Sequence, residues 1–342
     1  TIDGFTFTGG FKLVGPVEGG MDTFVFKNNY VHSSTLAADS PGIINLTITS
    51  DSAKNRNFYF LNNLFTTGTQ TYNPRYIRGG NIENLWLLDN VFEGGRVTSP
   101  GTYTDVLRLA GTNDSTTNGI GIAGVFIVRN NEFKNFGQRG LWVRRFTATK
   151  VEVINNLFEN CGDQSYGGGL DLSNWGGGST IKTSINIKYN TFKNFMSTFG
   201  IRLGNAGATP ENYKNAIHYN KFMGFASATY QFISNMNQTS TALLDARYNY
   251  YDGNEPVAAQ FIGVGTFSDY YLDEASVPKL SQEGTVDPTE IVIGNPIETL
   301  VKFTGHQLNV NVLPTQASDK RLAFATSNPN VVSVSTTGYL TA

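Results

Sequence analysis

Four residues that could bind a charged ligand occupy equivalent positions in successive strand-like segments: Arg108, Trp142, Asp171 and Arg202. A guanidinium group pairs with a carboxylate through two hydrogen bonds, and an indole ring can stack on a sugar ring. Arg144 and Trp175 lie close by in sequence. Trp142, Arg144, Trp175 and Arg202 therefore predict a surface for an acidic sugar. The alternative is an ion-pair ladder, in which Arg108, Asp171 and Arg202 relieve like charges on a flat sheet.

Other reactive side chains are scarce. Cys161 is the single cysteine, and the three histidines are His32, His218 and His306, so we predict no internal disulfide and no metal site. The net charge of −2 comes without a basic cluster, which argues against a nucleic-acid partner. No apolar run approaches the ~20 residues of a membrane span. We therefore expect none in this chain, which reads as a fragment of a larger protein.

The composition indicates strands and tight turns. Only 15% of the 342 residues are charged, whereas there are 37 Gly, 24 Phe and 16 Tyr. Exposed helices are rich in Ala, Glu, Lys and Leu, while aromatic residues favour strands. An all-β protein is expected.

A short phrase repeats along the chain, for example FYFLNNLF at 58–65, VEVINNLF at 151–158 and INIKYNTF at 185–192. Its spacing varies from 25 to 41 residues, which indicates a fixed strand-and-turn unit joined by loops of free length. Alignment places one asparagine, the register asparagine, at the same position of every repeat: Asn29, Asn63, Asn90, Asn131, Asn156, Asn190, Asn220 and Asn249. About eight coils of a parallel β-helix are predicted.

The period-two alternation of each phrase predicts stacked interior columns. Two residues after the register asparagine, an almost unbroken aromatic column includes Phe133, Phe158, Phe192 and Phe222. Three residues further along stand Phe136, Cys161, Phe195 and Phe225, so Cys161 is interpreted as a small apolar core residue rather than a nucleophile.

The register asparagines predict a structural ladder, because a catalytic asparagine would occur once. Their amides can donate to one neighbouring coil and accept from the other, and asparagine tolerates the left-handed conformation that a sharp bend requires. The preceding residue becomes Tyr189, Tyr219 and Tyr248 in the last coils. This change predicts an outward tyrosine stack, serving either packing or sugar binding.

A second strand in each middle coil carries the candidate row. Its inward positions are predicted to be Leu107, Leu141, Leu170, Ile201 and Phe232, and its outward positions Arg108, Trp142, Asp171, Arg202 and Ile233. Long segments at 110–124 and 174–183 follow this sheet, and the outward row is expected to lie beneath them.

Residues 1–272 resemble the pectate-lyase-like superfamily of right-handed parallel β-helices. The segment Asn249-Tyr250-Tyr251-Asp252-Gly253 is similar to the Asn-Tyr-Trp-Gly motif in the last coil of many bacterial members. The resemblance implies that a lyase would need an Arg or Lys base and usually Ca²⁺. Arg108, Asp171 and Arg202 are the catalytic candidates, but no second carboxylate stands in register with Asp171. The polygalacturonase motifs are absent.

Residues 273–290 read as a linker, and 291–342 resemble the group 2 bacterial Ig-like domain. The resemblance is carried by Pro314, by Ser327-Asn328-Pro329 before a Val-rich segment, and by Gly338-Tyr339-Leu340-Thr341-Ala342. The final strand of such a domain is missing, so this β-sandwich module is expected to be incomplete.

Two functions remain open. One is an extracellular bacterial cell-surface or surface-layer protein that presents a flat face to a polysaccharide or cell-wall glycan. The other is a polysaccharide lyase that acts by β-elimination on a uronate-containing glycan. An acidic Ca²⁺ pocket would favour the lyase.

Overall fold

The computed structural model describes residues 1–8, 21–33, 44–46, 55–67, 76–79, 82–95, 107–109, 122, 124–143, 148–162, 167–172, 184–195, 199–204, 216–225, 230–236, 244–264, 266–279, 290–313, 324–335 and 338–342. It divides into two compact units, Thr1–Val277 and Pro278–Ala342. In the described part of the first unit, all strands lie in three parallel sheets. Each sheet takes one strand from each successive coil, which is the architecture of a parallel β-solenoid.

The first two sheets contain the repeated phrase. Strands of the first sheet are Ile2–Asp3, Thr23–Lys27, Asn55–Leu61, Ile82–Leu88, Val125–Arg129, Lys150–Ile154, Ser184–Lys188 and Ala216–His218. Those of the second sheet are Thr6–Thr8, Tyr30–Ser33, Leu64–Thr67, Val91–Glu93, Glu132–Lys134, Leu157–Glu159, Thr191–Lys193, Lys221–Met223, Asn249–Tyr250 and Tyr270–Tyr271. The register asparagines lie at the bend between the two sheets.

The third sheet contains the second strand of each coil. Its strands are Ile44–Leu46, Ile77–Gly79, Leu107–Leu109, Arg139–Val143, Gly168–Leu172, Phe199–Gly204, Gln231–Met236 and Phe261–Ile262. Two 3₁₀ turns, Ala258–Gln260 and Glu274–Ser276, follow in the last coils. Among the described residues, no helix has the length and hydropathy to cross a membrane.

The described part of the second unit is small and antiparallel. Glu290–Ile293 pairs with Val310–Leu313, and Tyr339–Thr341 lies between Gly305–Gln307 and Ser333–Val334.

Stacked side chains fill the core of the solenoid as the repeat predicted. Phe133, Phe158, Phe192 and Phe222 are fully buried, and their rings stack at centroid distances of 4.8–5.1 Å. Cys161 is buried in the same core. Placing like residues at one position of each coil brings their rings into contact, because neighbouring parallel strands are about 4.8 Å apart.

The asparagine ladder is confirmed. All eight register asparagines are buried, and each of the first seven donates its backbone N–H to the side-chain oxygen of the next one at 2.8–3.0 Å. The Nδ2 groups of the same seven donate to that oxygen at 2.8–3.2 Å, and those of all eight donate to a backbone carbonyl of the preceding coil. The ladder therefore satisfies the backbone groups at the bend.

The left-handed conformation belongs to a different residue from the one predicted. None of the register asparagines has a positive φ; the residue before each one does in all eight coils: Asn28, Asn62, Asp89, Asn130, Asn155, Tyr189, Tyr219 and Tyr248. The side chains of the first five of these positions face solvent, where Asn155 donates to Asn130 at 2.9 Å. The bend therefore uses two residues, one to turn the chain and one to bond the coils.

Replacing Asn156 by alanine is expected to lower the free energy of unfolding by about 1–3 kcal/mol, because buried groups lose their partners. Asn156 Oδ1 accepts both the backbone N–H and the Nδ2 of Asn131, and its Nδ2 donates to Val128 O. Denaturant unfolding measures the loss. The matched control, Asn155→Gly, changes an exposed left-handed residue and should cost under about 1 kcal/mol. Equal effects of the two changes would contradict the ladder's role.

Candidate functional site

The candidate row lies on one sheet in the predicted register. Arg108 pairs with Trp142, Trp142 with Asp171, and Asp171 with Arg202 along the third sheet. The backbone row also continues to Arg78 one coil earlier, a residue that the sequence interpretation did not include. The inward column Leu141, Leu170 and Ile201 is buried in the core as expected.

The last strand of the row is shifted by one residue from the prediction. Ile201 pairs with Ile233 and Arg202 with Ser234, so Ile233 occupies the inward column in place of Phe232. Phe232 is buried as well, packing against Phe222 and Tyr251. Two consecutive apolar residues gave no alternation from which the correct register could be chosen.

The row is buried rather than openly exposed. The exposed fraction is 0% for Asp171, 3% for Trp142 and 5% for Arg202. Asp171 Oδ2 accepts a hydrogen bond from Arg139 Nε at 2.6 Å and another from Arg202 Nη2. The predicted contact between Asp171 and Arg202 is therefore present, but as part of a buried cluster rather than a surface ladder. Alternation identifies the face on which a residue lies, not what packs against that face.

Each of the two guanidinium groups lies over one aromatic ring. The guanidinium carbon of Arg139 lies 4.1 Å from the ring centroid of Trp142, and that of Arg202 lies 4.4 Å from that of Phe199. Such contacts stabilise a desolvated cation. The face of Trp142 on which Arg139 lies is thus occupied and not open to a sugar ring.

Arg139 is the functional candidate that sequence reasoning missed. Strict alternation would place positions 139 and 142 on opposite faces of a strand, yet both side chains belong to the Asp171 cluster. Gly140 accounts for the difference, since a Cβ atom there would lie 2.9 Å from Phe158 Cδ1. The backbone therefore approaches the phenylalanine column closely at Gly140. The glycine within Arg139-Gly140-Leu141 was the signal in the sequence that could have indicated this break in the alternation.

Several residues of the predicted site lie outside the part of the chain that the structure describes. Arg144 and Trp175 are not among the described residues, nor are residues 110–121, 123 and 174–183 of the segments expected above the row. For Arg108 the structure describes the backbone position alone.

The chemistry of the described cluster is that of carboxylate binding. Two guanidinium groups share one carboxylate, and Arg202 Nε is buried with no hydrogen-bond acceptor among the described residues. Burial of a charge is costly unless it is paired, so an acceptor for Arg202 Nε would stabilise the buried guanidinium group. Across the described ranges no group of three or more His, Cys, Asp or Glu side chains could hold a metal ion.

The tyrosine stack forms a second polar cluster. Tyr189, Tyr219 and Tyr248 stack as predicted, at centroid distances of 5.2 and 6.0 Å, but Tyr189 is buried rather than facing outward. The His218 ring contacts Tyr219 and Tyr248 edge-on, and its Nε2 lies 3.2 Å from Asp245 Oδ2. Arg247 binds the same carboxylate through Nε at 2.9 Å and Nη2 at 2.7 Å.

Asp245 should make unfolding pH-dependent at low pH. Burial raises the pKa of this carboxyl, but bonds from Arg247 and the charge of His218 outweigh burial and hold the pKa at about 2, below its ordinary 3.8. A carboxyl group with a depressed pKa stabilises the fold at pH values above its ordinary pKa. This contribution is lost as the pH falls toward 2. At pH 7 the free energy of unfolding of the parent should exceed that of Asp245→Asn by about 1–2 kcal/mol, a value that allows for the partial exposure of the carboxyl group.

Denaturant unfolding of both proteins at pH 7 and pH 2 measures this effect. The difference between parent and variant should shrink by at least about half at pH 2, because the parent's carboxyl is then partly protonated. A difference that is the same at both pH values would show that Asp245 does not hold this depressed pKa.

Fold and sites together define the first unit as an all-β parallel solenoid with a buried arginine–carboxylate cluster on one sheet. Comparison with protein-family models, curated proteins and solved structures found no match.

Proposed function

We propose that this chain is an extracellular bacterial cell-surface or surface-layer-associated protein that binds a polysaccharide without cleaving it. The observation that carries the proposal is the buried cluster in which Arg139 and Arg202 share the carboxylate of Asp171. The carboxylate of an acidic sugar would be a charged acceptor for Arg202 Nε, which has none among the described residues. A neutral glycan would not.

The scaffold suits such a role. The ladder and the phenylalanine column run through successive coils without interruption, so each coil is fixed to its neighbours by buried hydrogen bonds and stacked rings. We infer that the coils are right-handed, as crossover connections between parallel strands of one sheet almost always are. A pectate-lyase-like helix has this architecture.

The second unit supports an extracellular setting. Its small antiparallel sheets agree with part of a β-sandwich, and the Ser327-Asn328-Pro329 and Gly338-Tyr339-Leu340 motifs resemble a bacterial Ig-like domain. Domains of that kind serve as spacers and adhesive stalks on bacterial surfaces. We propose this role for residues 291–342.

Glycan contacts are proposed at Trp142, Arg144, Trp175 and Arg202. Because Trp142 is buried beneath Arg139, its contribution would be to hold the guanidinium group in place. The acidic sugar would approach Arg202, which is 5% exposed and whose Nε has no acceptor in the described structure.

The second candidate is a lyase that acts on uronate glycans through Arg108, Asp171 and Arg202. The convergence of two guanidinium groups favours it, since β-elimination needs the uronate carboxylate neutralised. Against it, Asp171 Oδ2 is already engaged by both arginines. Any Ca²⁺ would need several oxygen ligands, and Asp171 is the one carboxylate in the described cluster.

Affinity electrophoresis through gels containing uronate or neutral polysaccharides tests the proposal, with ultraviolet absorbance reporting unsaturated product. We expect retardation by uronate gels alone and no product. Arg202→Ala should weaken retention, whereas Arg56→Ala, which removes an exposed guanidinium, should not. Unsaturated product released by the parent would favour the lyase. Equal mobility in all gels would overturn binding.

A further inference from the structure

The aromatic column that contains Cys161 ends abruptly near the last coils. Five residues after the register asparagine stand Phe195 and Phe225, whose rings stack at 5.4 Å. The next coil places Asn254 at that position, after Asp252 and Gly253, both with positive φ. The chain turns away there, and no further ring continues the column among the described residues. Phe225 is partly exposed, unlike the fully buried Phe195.

A cavity of about 320 Å³ opens where the column ends. Its apolar side is formed by aromatic residues, among them Phe225, Phe232 and Tyr251, and its polar side by Asp252, Glu255 and Gln260. The described lining contains two carboxylates and no basic side chain. The volume lies at the lower end of the range for small-molecule sites.

The two carboxylates at the mouth of the cavity, Asp252 and Glu255, differ in their hydrogen bonding. Asp252 Oδ2 accepts the backbone N–H of Gly224 at 3.1 Å, which fixes this side chain across the coil boundary. Glu255 is exposed and makes no hydrogen bond or ion pair among the described residues. Two side-chain amides bond to the backbone at the edge of the cavity. Asn254 Nδ2 donates to Asp252 O at 2.9 Å, and Gln260 Oε1 accepts the N–H of Val257 at 2.9 Å.

We propose that this cavity binds a compact organic ammonium ion. A cation is attracted to the face of an aromatic ring, and it is further stabilised by nearby carboxylates. The same two carboxylates repel the anionic sugars expected at the third sheet. The site is thus independent of the proposed polysaccharide binding and selects the opposite charge.

Calorimetric titration of the full chain tests the proposal with choline and with 3,3-dimethyl-1-butanol, a neutral molecule of nearly the same shape. Choline should bind at least about tenfold more tightly than the neutral probe. Glu255→Gln should weaken choline binding several-fold, because it removes one carboxylate from an exposed position and leaves the fold intact. Glu298→Gln, an exposed change in the second unit, should leave binding unchanged.

Equal affinity for the two probes would overturn the proposal, as would choline binding that is unaffected by Glu255→Gln. Binding of a neutral hexose that survives Glu255→Gln, without binding of choline, would also overturn it and would identify a sugar site instead.

Discussion

Replacing Phe158 by alanine is expected to lower the free energy of unfolding by about 3–5 kcal/mol, the cost of a large cavity in a close-packed core. The Phe158 ring is fully buried between Phe133 and Phe192, at centroid distances of 4.8 and 4.9 Å and with nearly parallel planes. Neighbouring coils hold these rings in register, so the column cannot close the gap without shifting strands.

Equilibrium unfolding in denaturant measures this loss. Leu157 precedes Phe158 in the same strand and is partly exposed, so Leu157→Ala is a matched control that should cost under about 1.5 kcal/mol. An unfolding midpoint of Phe158→Ala equal to that of the parent would show that the column is not the core of the protein.

Replacing Asp171 by alanine is expected to cost about 3–5 kcal/mol, because it leaves two buried guanidinium groups without their shared carboxylate. Arg139 and Arg202 are at most 5% exposed, so hydration would offset little of the lost interaction. The effect is electrostatic rather than steric. Further replacement of Arg139 and Arg202 by methionine should therefore restore part of the lost stability.

An exposed ion pair provides the control for this prediction. Lys193 Nζ lies 2.9 Å from Glu159 Oε1 on the second sheet, and both side chains are partly exposed. Glu159→Ala should therefore cost no more than about 1 kcal/mol. If Asp171→Ala costs as little as Glu159→Ala in the same denaturant series, the cluster is not buried in solution.

Much of the solenoid could be predicted because its signal repeats. Residues such as Asn156 and Phe158 recur at one position in successive coils, and strand alternation assigns each column to the inside or outside. The ladder and the phenylalanine and tyrosine stacks were therefore found from spacing alone. The sequence carried less information wherever a feature occurred once.

The errors arose at local departures from the pattern. The left-handed turn was predicted at Asn156 but lies at Asn155. Both positions are asparagine, which tolerates this conformation, and the spacing does not distinguish between them. Ile233 and Phe232 are both apolar, so alternation could not choose between them. Arg139 was missed because Gly140 lies against the phenylalanine column, where a residue with a side chain would not fit.

The candidate site was predicted in its register but not in its environment. Pairing of Asp171 with Arg202 follows from counting along two strands. Their burial depends on what covers the outer face of the sheet, which alternation does not report. The functional role of the row stays a prediction.

The most direct test of the proposed function is one calorimetric comparison of a uronate oligosaccharide with its methyl ester. The two ligands have the same sugar rings and differ in the carboxylate charge that the Arg139 and Arg202 guanidinium groups would meet. We expect the acid to bind at least about tenfold more tightly than the ester. Equal affinity for both ligands, or no binding of the acid, would contradict the proposal that this protein holds an acidic polysaccharide through its arginine cluster.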